Sequence, residues 1–329
     1  MPITLCVLAV MLCAWSSCPR KRLGLMSQAL STTPYGKTAM FKGSITALIT
    51  PFRNGKVDEK AFQDLVAWQI AEGTHAVVPC GTTGESPTLS HDEHHRVVEL
   101  CLEVARGKVP VIAGTGSNST DEAVALTQHA RKAGADAALV VAPYYNKPSQ
   151  EGLFRHFEAI AKSVDIPIIV YNIPGRSVID ISVETFVRLS ALPNIAGIKD
   201  ATADLARPLR IRAALDERLC QLSGEDATAI AFNAQGGVGC ISVTSNIAPK
   251  LCARMQNAWA AGDLATCNEL NKILMPLHDA LFCETSPAPV KYAASLLGKS
   301  APDVRLPLVP ASENARHRVE AAMKAAGLI

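Results

Sequence analysis

The chain has 329 residues, 48% of them hydrophobic and 19% charged, with a formal net charge of +2. That length allows one large core or two small ones, and the composition is that of a soluble globular protein rather than a disordered or fibrous one. The near balance of charge gives no reason to expect nucleic acid or an anionic membrane as partner.

The N-terminus stands apart. Residues 3–15 are apolar and are followed by Arg20-Lys21-Arg22. The run is too short to span a bilayer, and it lacks both the preceding positive charge and the cleavage site of a secretory signal. Residues 1–39 therefore read as an extension that is disordered or precedes the native start at Met40 or Met26. An export leader is the other reading. The 10 cysteines, among them Cys6, Cys13 and Cys18 in this extension, show neither C-x-x-C nor zinc-ligand spacing. They read as reduced, structural thiols, as expected in a cytoplasmic protein.

From Phe41 onward a short apolar run ending in Gly, Pro, Asn, Asp or Thr alternates with an amphipathic stretch. The runs are 44–50, 75–80, 109–113, 137–142, 167–171, 195–198, 220–222 and 238–243. Strands apolar on both faces are what a parallel sheet covered by helices needs. Between them Leu153, Phe157, Ile160 and Val164 share one helical face, as do Val97, Cys101 and Val104. Ser90 with Glu93 and Ser119 with Glu122 read as capping boxes, and Gly134 reads as a C-cap. Eight such units predict a (β/α)8 barrel over 40–262, with an open doubly wound sheet as the structural alternative. Beyond Ala260 the strand signals stop. Leu270, Leu274, Leu277 and Leu281 recur at helical spacing, so 263–329 is expected to be a helical appendage.

In such a barrel the chemistry sits at the C-terminal strand ends. Strand six ends in Gly197-Ile198-Lys199-Asp200. A lysine there either snorkels to water or, held in the barrel mouth, loses its proton by desolvation and attacks carbonyls. Strand five ends in Tyr171-Asn172-Ile173-Pro174-Gly175-Arg176. The tyrosine is a packed aromatic or a proton shuttle, and the arginine a solvated turn residue or a carboxylate clamp. Strand two ends in Gly81-Thr82-Thr83-Gly84-Glu85-Ser86, a tight polar turn or an anion nest. Strand four ends in Pro143-Tyr144-Tyr145-Asn146, where paired tyrosines could anchor an interface.

Together these segments resemble the pyruvate-dependent class I aldolase family that includes dihydrodipicolinate synthases and N-acetylneuraminate lyases. The resemblance runs from about Gly43 to the C-terminus and does not include residues 1–39. It implies that Lys199 forms a Schiff base with pyruvate. Tyr171 would move protons and Thr82 would link it to Tyr145, supplied by a neighbouring subunit. Thr83 would hold the pyruvate carboxylate, and Ile241 a backbone contact beside the imine. Arg176, together with Gly-Thr-Thr-Gly-Glu rather than Gly-Ser-Thr-Gly-Glu, points to the synthase branch and aspartate semialdehyde as the second substrate. The covalent imine would need no metal or other cofactor. Ser86, His91, His94, Asn118, Glu122 and Tyr144 match positions that bind L-lysine, the feedback inhibitor in sensitive members, with Pro87 a departure where some members carry Ala. The family assembles as a homotetramer, a dimer of dimers. Another aldolase of the same family, acting on sialic or sugar-derived keto acids, and a non-catalytic ligand-binding paralogue are the competing expectations.

Overall fold

The computed structural model describes residues 41–215 and 219–329. The expectations for 1–39, including the possible starts at Met26 and Met40, lie outside the described residues.

Eight parallel strands form one sheet: β1 Gly43–Ala47, β2 Ala76–Val78, β3 Ile112–Gly114, β4 Ala137–Val141, β5 Ile168–Asn172, β6 Ile195–Asp200, β7 Cys220–Ser223 and β8 Gly239–Ser242. Each pairs with its neighbour in sequence, β8 returns to pair with β1, and a single bridge between Val77 and Val111 joins β2 to β3. The sheet is thus a closed barrel and not the open doubly wound alternative. Five of the strands, β1 to β4 and β8, are shorter than the apolar runs. Pro79 has no N–H for the ladder, so β2 stops at Val78 and the Pro79 carbonyl accepts from Gly114 N at 2.9 Å instead. Strand β6 is longer than expected, carrying Lys199 and Asp200 inside the ladder.

Alternation sorts the strand residues between two cores. Ile45, Val78, Ile112, Leu139, Ile169, Leu222 and Ile241 fill the barrel interior. Val77, Ala113, Val140, Val170 and Ile198 face the helices. The barrel helices include α1 Glu59–Ala71, α2 His91–Ala105, α3 Thr120–Ala133 and α4 Gln150–Ser163. Leu153, Phe157 and Ile160 are buried on one face of α4, and Val97 and Cys101 on one face of α2. The Ser90–Glu93 capping box forms, and Gly134 closes α3 in a left-handed conformation. The second capping box does not form. Ser119 makes no side-chain cap and donates its own N–H to the Ser117 hydroxyl at 3.0 Å, while the Glu122 carboxylate is taken by that hydroxyl and by His91 Nε2 at 2.7 Å.

The strand count passed over one feature. Phe52–Arg53 and Lys56–Val57 form a small antiparallel hairpin around Asn54-Gly55, both at positive φ, as a two-residue primed turn requires. Pro249–Ala260 follows β8 as a barrel helix, and after it come the expected helices of the appendage: Leu264–Leu281, Ala288–Leu296 and Glu313–Ala325. Leu270, Leu274, Leu277 and Leu281 are all buried. No helix among the described residues is long and apolar enough to cross a membrane. The described cysteines are all free thiols. Six of them, including Cys80 and Cys240, are buried.

Candidate active site in the barrel mouth

Tyr171 and Lys199 are direct partners in the β5–β6 ladder, so their side chains leave the sheet side by side. Lys199 in turn is opposite Leu222, an interior residue. Their sequence neighbours point the other way and are tied down there. Asn172 accepts from Ile181 N and donates to Asp180, while Asp200 pairs with Arg207 at 2.7 Å and accepts from Thr202 N. With Asn172 and Asp200 anchored outside, Tyr171 and Lys199 are committed to the interior. Both are buried, at 5% and 6% exposure, and Lys199 Nζ lies 4.0 Å from the centre of the Tyr171 ring. The snorkelling alternative for Lys199 does not hold.

Two residues beside this pair carried no prediction. A Cβ on Gly224 would stand 3.1 Å from Lys199 Cε and 2.7 Å from Ala201 Cβ, so the glycine leaves room for the lysine stem. Burial raises the Glu225 carboxyl above the ordinary range, with the nearby Lys199 charge opposing the rise. The signal was present as Ser223-Gly224-Glu225-Asp226 at the end of β7, but acidic residues after a strand are commonplace. Asp226 caps the next turn, accepting from Val243 N at 2.8 Å and Thr244 N at 3.2 Å. Ile241 is buried on β8 in register with Ile45.

The turn at 81–85 follows β2. Gly84 N donates to the Gly81 carbonyl at 3.1 Å, and Glu85 N to that of Thr82 at 3.1 Å. Gly84 is packed so closely that a Cβ would meet the Leu48 carbonyl oxygen at 3.0 Å. Cys80 and Glu85 hold left-handed φ of 56° on either side, a conformation costing roughly 1–2 kcal/mol for each side chain. Thr83 is buried and Thr82 is half-buried.

A cavity of about 420 Å³ opens beside this turn. Its walls include Thr82 and Arg176, and also Ser86, His91, His94, Glu122 and Tyr144. The structure therefore brings two predicted groups onto one cavity. Asn118 is not on its wall. Its carbonyl accepts from the Asn146 amide at 2.9 Å. The two histidines differ. His91 is exposed and paired with Glu122, whose carboxyl is held low by the Ser117 hydroxyl and then by His91. His94 is buried, bonded to the Gly114 carbonyl at 2.8 Å, and pushed down to about 4 by burial. A helix-start histidine is ordinarily solvated, so sequence alone did not separate them. The Arg176 guanidinium approaches the Ser286 carbonyl at 3.5 Å. Tyr145 stands apart from the cavity, 86% exposed and at φ 73°. Among the described residues no group of three or more His, Cys, Asp or Glu side chains is placed to hold a metal ion.

Residues 40–326 match the Dihydrodipicolinate synthetase family. The 4-hydroxy-tetrahydrodipicolinate synthase of Rhodospirillum centenum is 68% identical over 290 residues, which is 88% of this chain and 100% of that protein. Among solved structures, chloride-inhibited dihydrodipicolinate synthase from Acinetobacter baumannii, complexed with pyruvate, gives a TM-score of 0.86 at 47% identity over 88% of this chain and 99% of that one. The enzyme from Cyanidioschyzon merolae with lysine bound gives 0.86 at 38% identity, over 88% and 99%.

Proposed function

The chain belongs to the dihydrodipicolinate synthetase family, and we propose that it joins pyruvate to aspartate semialdehyde through an imine on Lys199. The activity is that of a 4-hydroxy-tetrahydrodipicolinate synthase, a lyase of diaminopimelate and lysine biosynthesis. The observation that carries the Lys199 assignment is an amine buried in the barrel interior 4.0 Å from the ring of Tyr171.

The Lys199 amine attacks C2 of pyruvate and water leaves, giving the imine. Tyr171, both donor and acceptor, moves the protons. Loss of a methyl proton at C3 gives an enamine, with the imine nitrogen as electron sink, so the chemistry calls on no metal or added cofactor. C3 then attacks the aldehyde carbon of the semialdehyde. The amine of that substrate attacks C2, releases Lys199 and closes the ring, leaving a hydroxyl at C4. Thr82 serves the proton path. Thr83 N–H holds the pyruvate carboxylate, Arg176 the carboxylate of the semialdehyde, and Ile241 lines the imine.

Tyr145 completes the path from a neighbouring subunit. A tyrosine so exposed on a strand-end loop is available to a second copy of the chain, which supports at least a dimer, and the full assembly is a homotetramer. L-lysine binds at Ser86, His91, His94, Asn118, Glu122 and Tyr144. A ligand there shares a cavity wall with Thr82 and Arg176, which gives inhibition a short route. The reaction is assigned to the cytoplasm.

Borohydride reduction with pyruvate, followed by peptide mass spectrometry, tests the assignment. A pyruvyl adduct on Lys199, absent from Lys199→Ala, is expected together with turnover of the semialdehyde. An intact protein that turns over and traps no adduct on Lys199 refutes it. Isothermal titration with millimolar L-lysine tests the inhibitor site.

A further inference from the structure

The 81–85 turn closes on its own backbone hydrogen bonds, but its charged contacts are not local. The Glu85 carboxylate is fully buried and binds donors from the far end of the chain. One oxygen accepts from Lys291 Nζ at 2.7 Å and the other from the backbone N–H of Arg305 at 3.0 Å. Lys291 lies on the Ala288–Leu296 helix and is 0% exposed. Its ammonium also donates to the Thr50 carbonyl at 2.9 Å and sits 4.1 Å over the Phe52 ring. The Thr50 hydroxyl donates to the Gly84 carbonyl at 2.7 Å. The Arg305 guanidinium closes the other side, bonding the Thr88 carbonyl, the Gly55 carbonyl and both oxygens of Glu93.

A dry ion pair is a poor source of stability, because the desolvation of both charges offsets most of their attraction. What a carboxylate supplies here is direction. Two oxygens answer two donors, and so fix Glu85 in a left-handed conformation that its own backbone disfavours. Every donor belongs to a segment outside the turn.

We propose that Glu85 and Lys291 are positioning residues for the reaction: the C-terminal helices, through this buried pair, hold the 81–85 turn in the geometry in which Thr82 and Thr83 serve the Lys199 imine. The proposal rests on the roles given to those threonines above. A displacement of the turn by about 1 Å suffices to slow the chemistry on the order of 100-fold.

The test compares the wild-type protein with the double variant E85Q/K291M and with E85Q alone. Removing both charges together leaves no orphaned ion, so the double variant is expected to melt close to the wild type. Its kcat is expected to fall about 10–100-fold and its KM for pyruvate to rise. Amides of residues 81–88 are expected to exchange faster with solvent. A folded double variant with wild-type kcat, KM and exchange overturns the proposal, and so does a fall in kcat with unchanged exchange. If the double variant does not fold, E85Q alone decides, since its amide oxygen still accepts from Lys291 while its amide nitrogen no longer accepts from the Arg305 N–H. A several-fold loss of kcat with faster exchange at 81–88 supports the proposal, and no change in either overturns it. Borohydride trapping on the wild type is run beside these. A wild type that forms no adduct refutes the reaction at Lys199, whereas amide exchange reads the hold on the turn without turnover.

Discussion

Lys199 and Tyr171 are set by strands that are neighbours in sequence. Their positions follow from the β5–β6 ladder register and from anchors such as Asn172–Asp180 within ten residues. The 81–85 turn faces the same barrel mouth, but its charged contacts reach residues 291 and 305, more than 200 positions away. The first side is built from backbone repetition and anchors close in sequence, such as Asp200–Arg207, while the second also leans on a few long-range charges. A strand-end residue is only as well placed as the element that holds it. On the ladder side that element is the barrel itself. On the turn side it is the C-terminal appendage.

Breaking the charged side should have the largest effect on stability. Lys291→Met alone leaves the Glu85 carboxylate dry and without its ammonium, and should cost about 3–5 kcal/mol in chemical denaturation. A loss below about 1 kcal/mol would erase the contrast between the two sides.

Acid probes the same side through His94, whose carbonyl accepts from the Cys80 thiol at the start of the turn. Burial depresses its imidazole from 6.5 to about 4, so the folded state refuses a proton that the unfolded chain accepts. Its contribution is complete above pH 6.5 and is lost as pH falls toward 4, on the order of 3 kcal/mol. Melting temperature followed across that window should fall steeply for the wild type and less steeply for His94→Gln.

On the ladder side shape can be tested by itself. Gly224→Ala places a methyl 3.1 Å from Lys199 Cε and 2.7 Å from Ala201 Cβ. The rate of pyruvate trapping on Lys199 should drop about 10–100-fold, with only about 1–3 kcal/mol lost in stability. Wild-type trapping kinetics would show that the wall yields more easily than its packing implies.

Eight apolar runs separated by helical periods were enough to read the barrel, because both periodicities are local and each strand repeats the pattern. The strand-end positions of Lys199, Tyr171 and Arg176 were legible for the same reason. The failure at Ser119 is instructive. Its spacing to Glu122 was right for a capping box, but His91, 31 residues earlier, reaches that carboxylate in the fold. Glu85 was visible only as the last letter of a glycine-rich turn, and Lys291 as one lysine in an apolar helix. Neither carries a periodic mark, since an ion pair between distant segments leaves no spacing to read.

The sequence by itself determined which residues lie inward, where strands and helices alternate, and which reactive side chains stand at the strand ends, because those follow from backbone geometry repeated along the chain. Only the tertiary structure decided that Lys199 is buried against Tyr171, that His94 is dry while His91 is wet, and that Lys291 and Arg305 bind Glu85 of the 81–85 turn. Burial and charge pairing depend on which distant surfaces meet, and that is fixed only when the whole barrel closes.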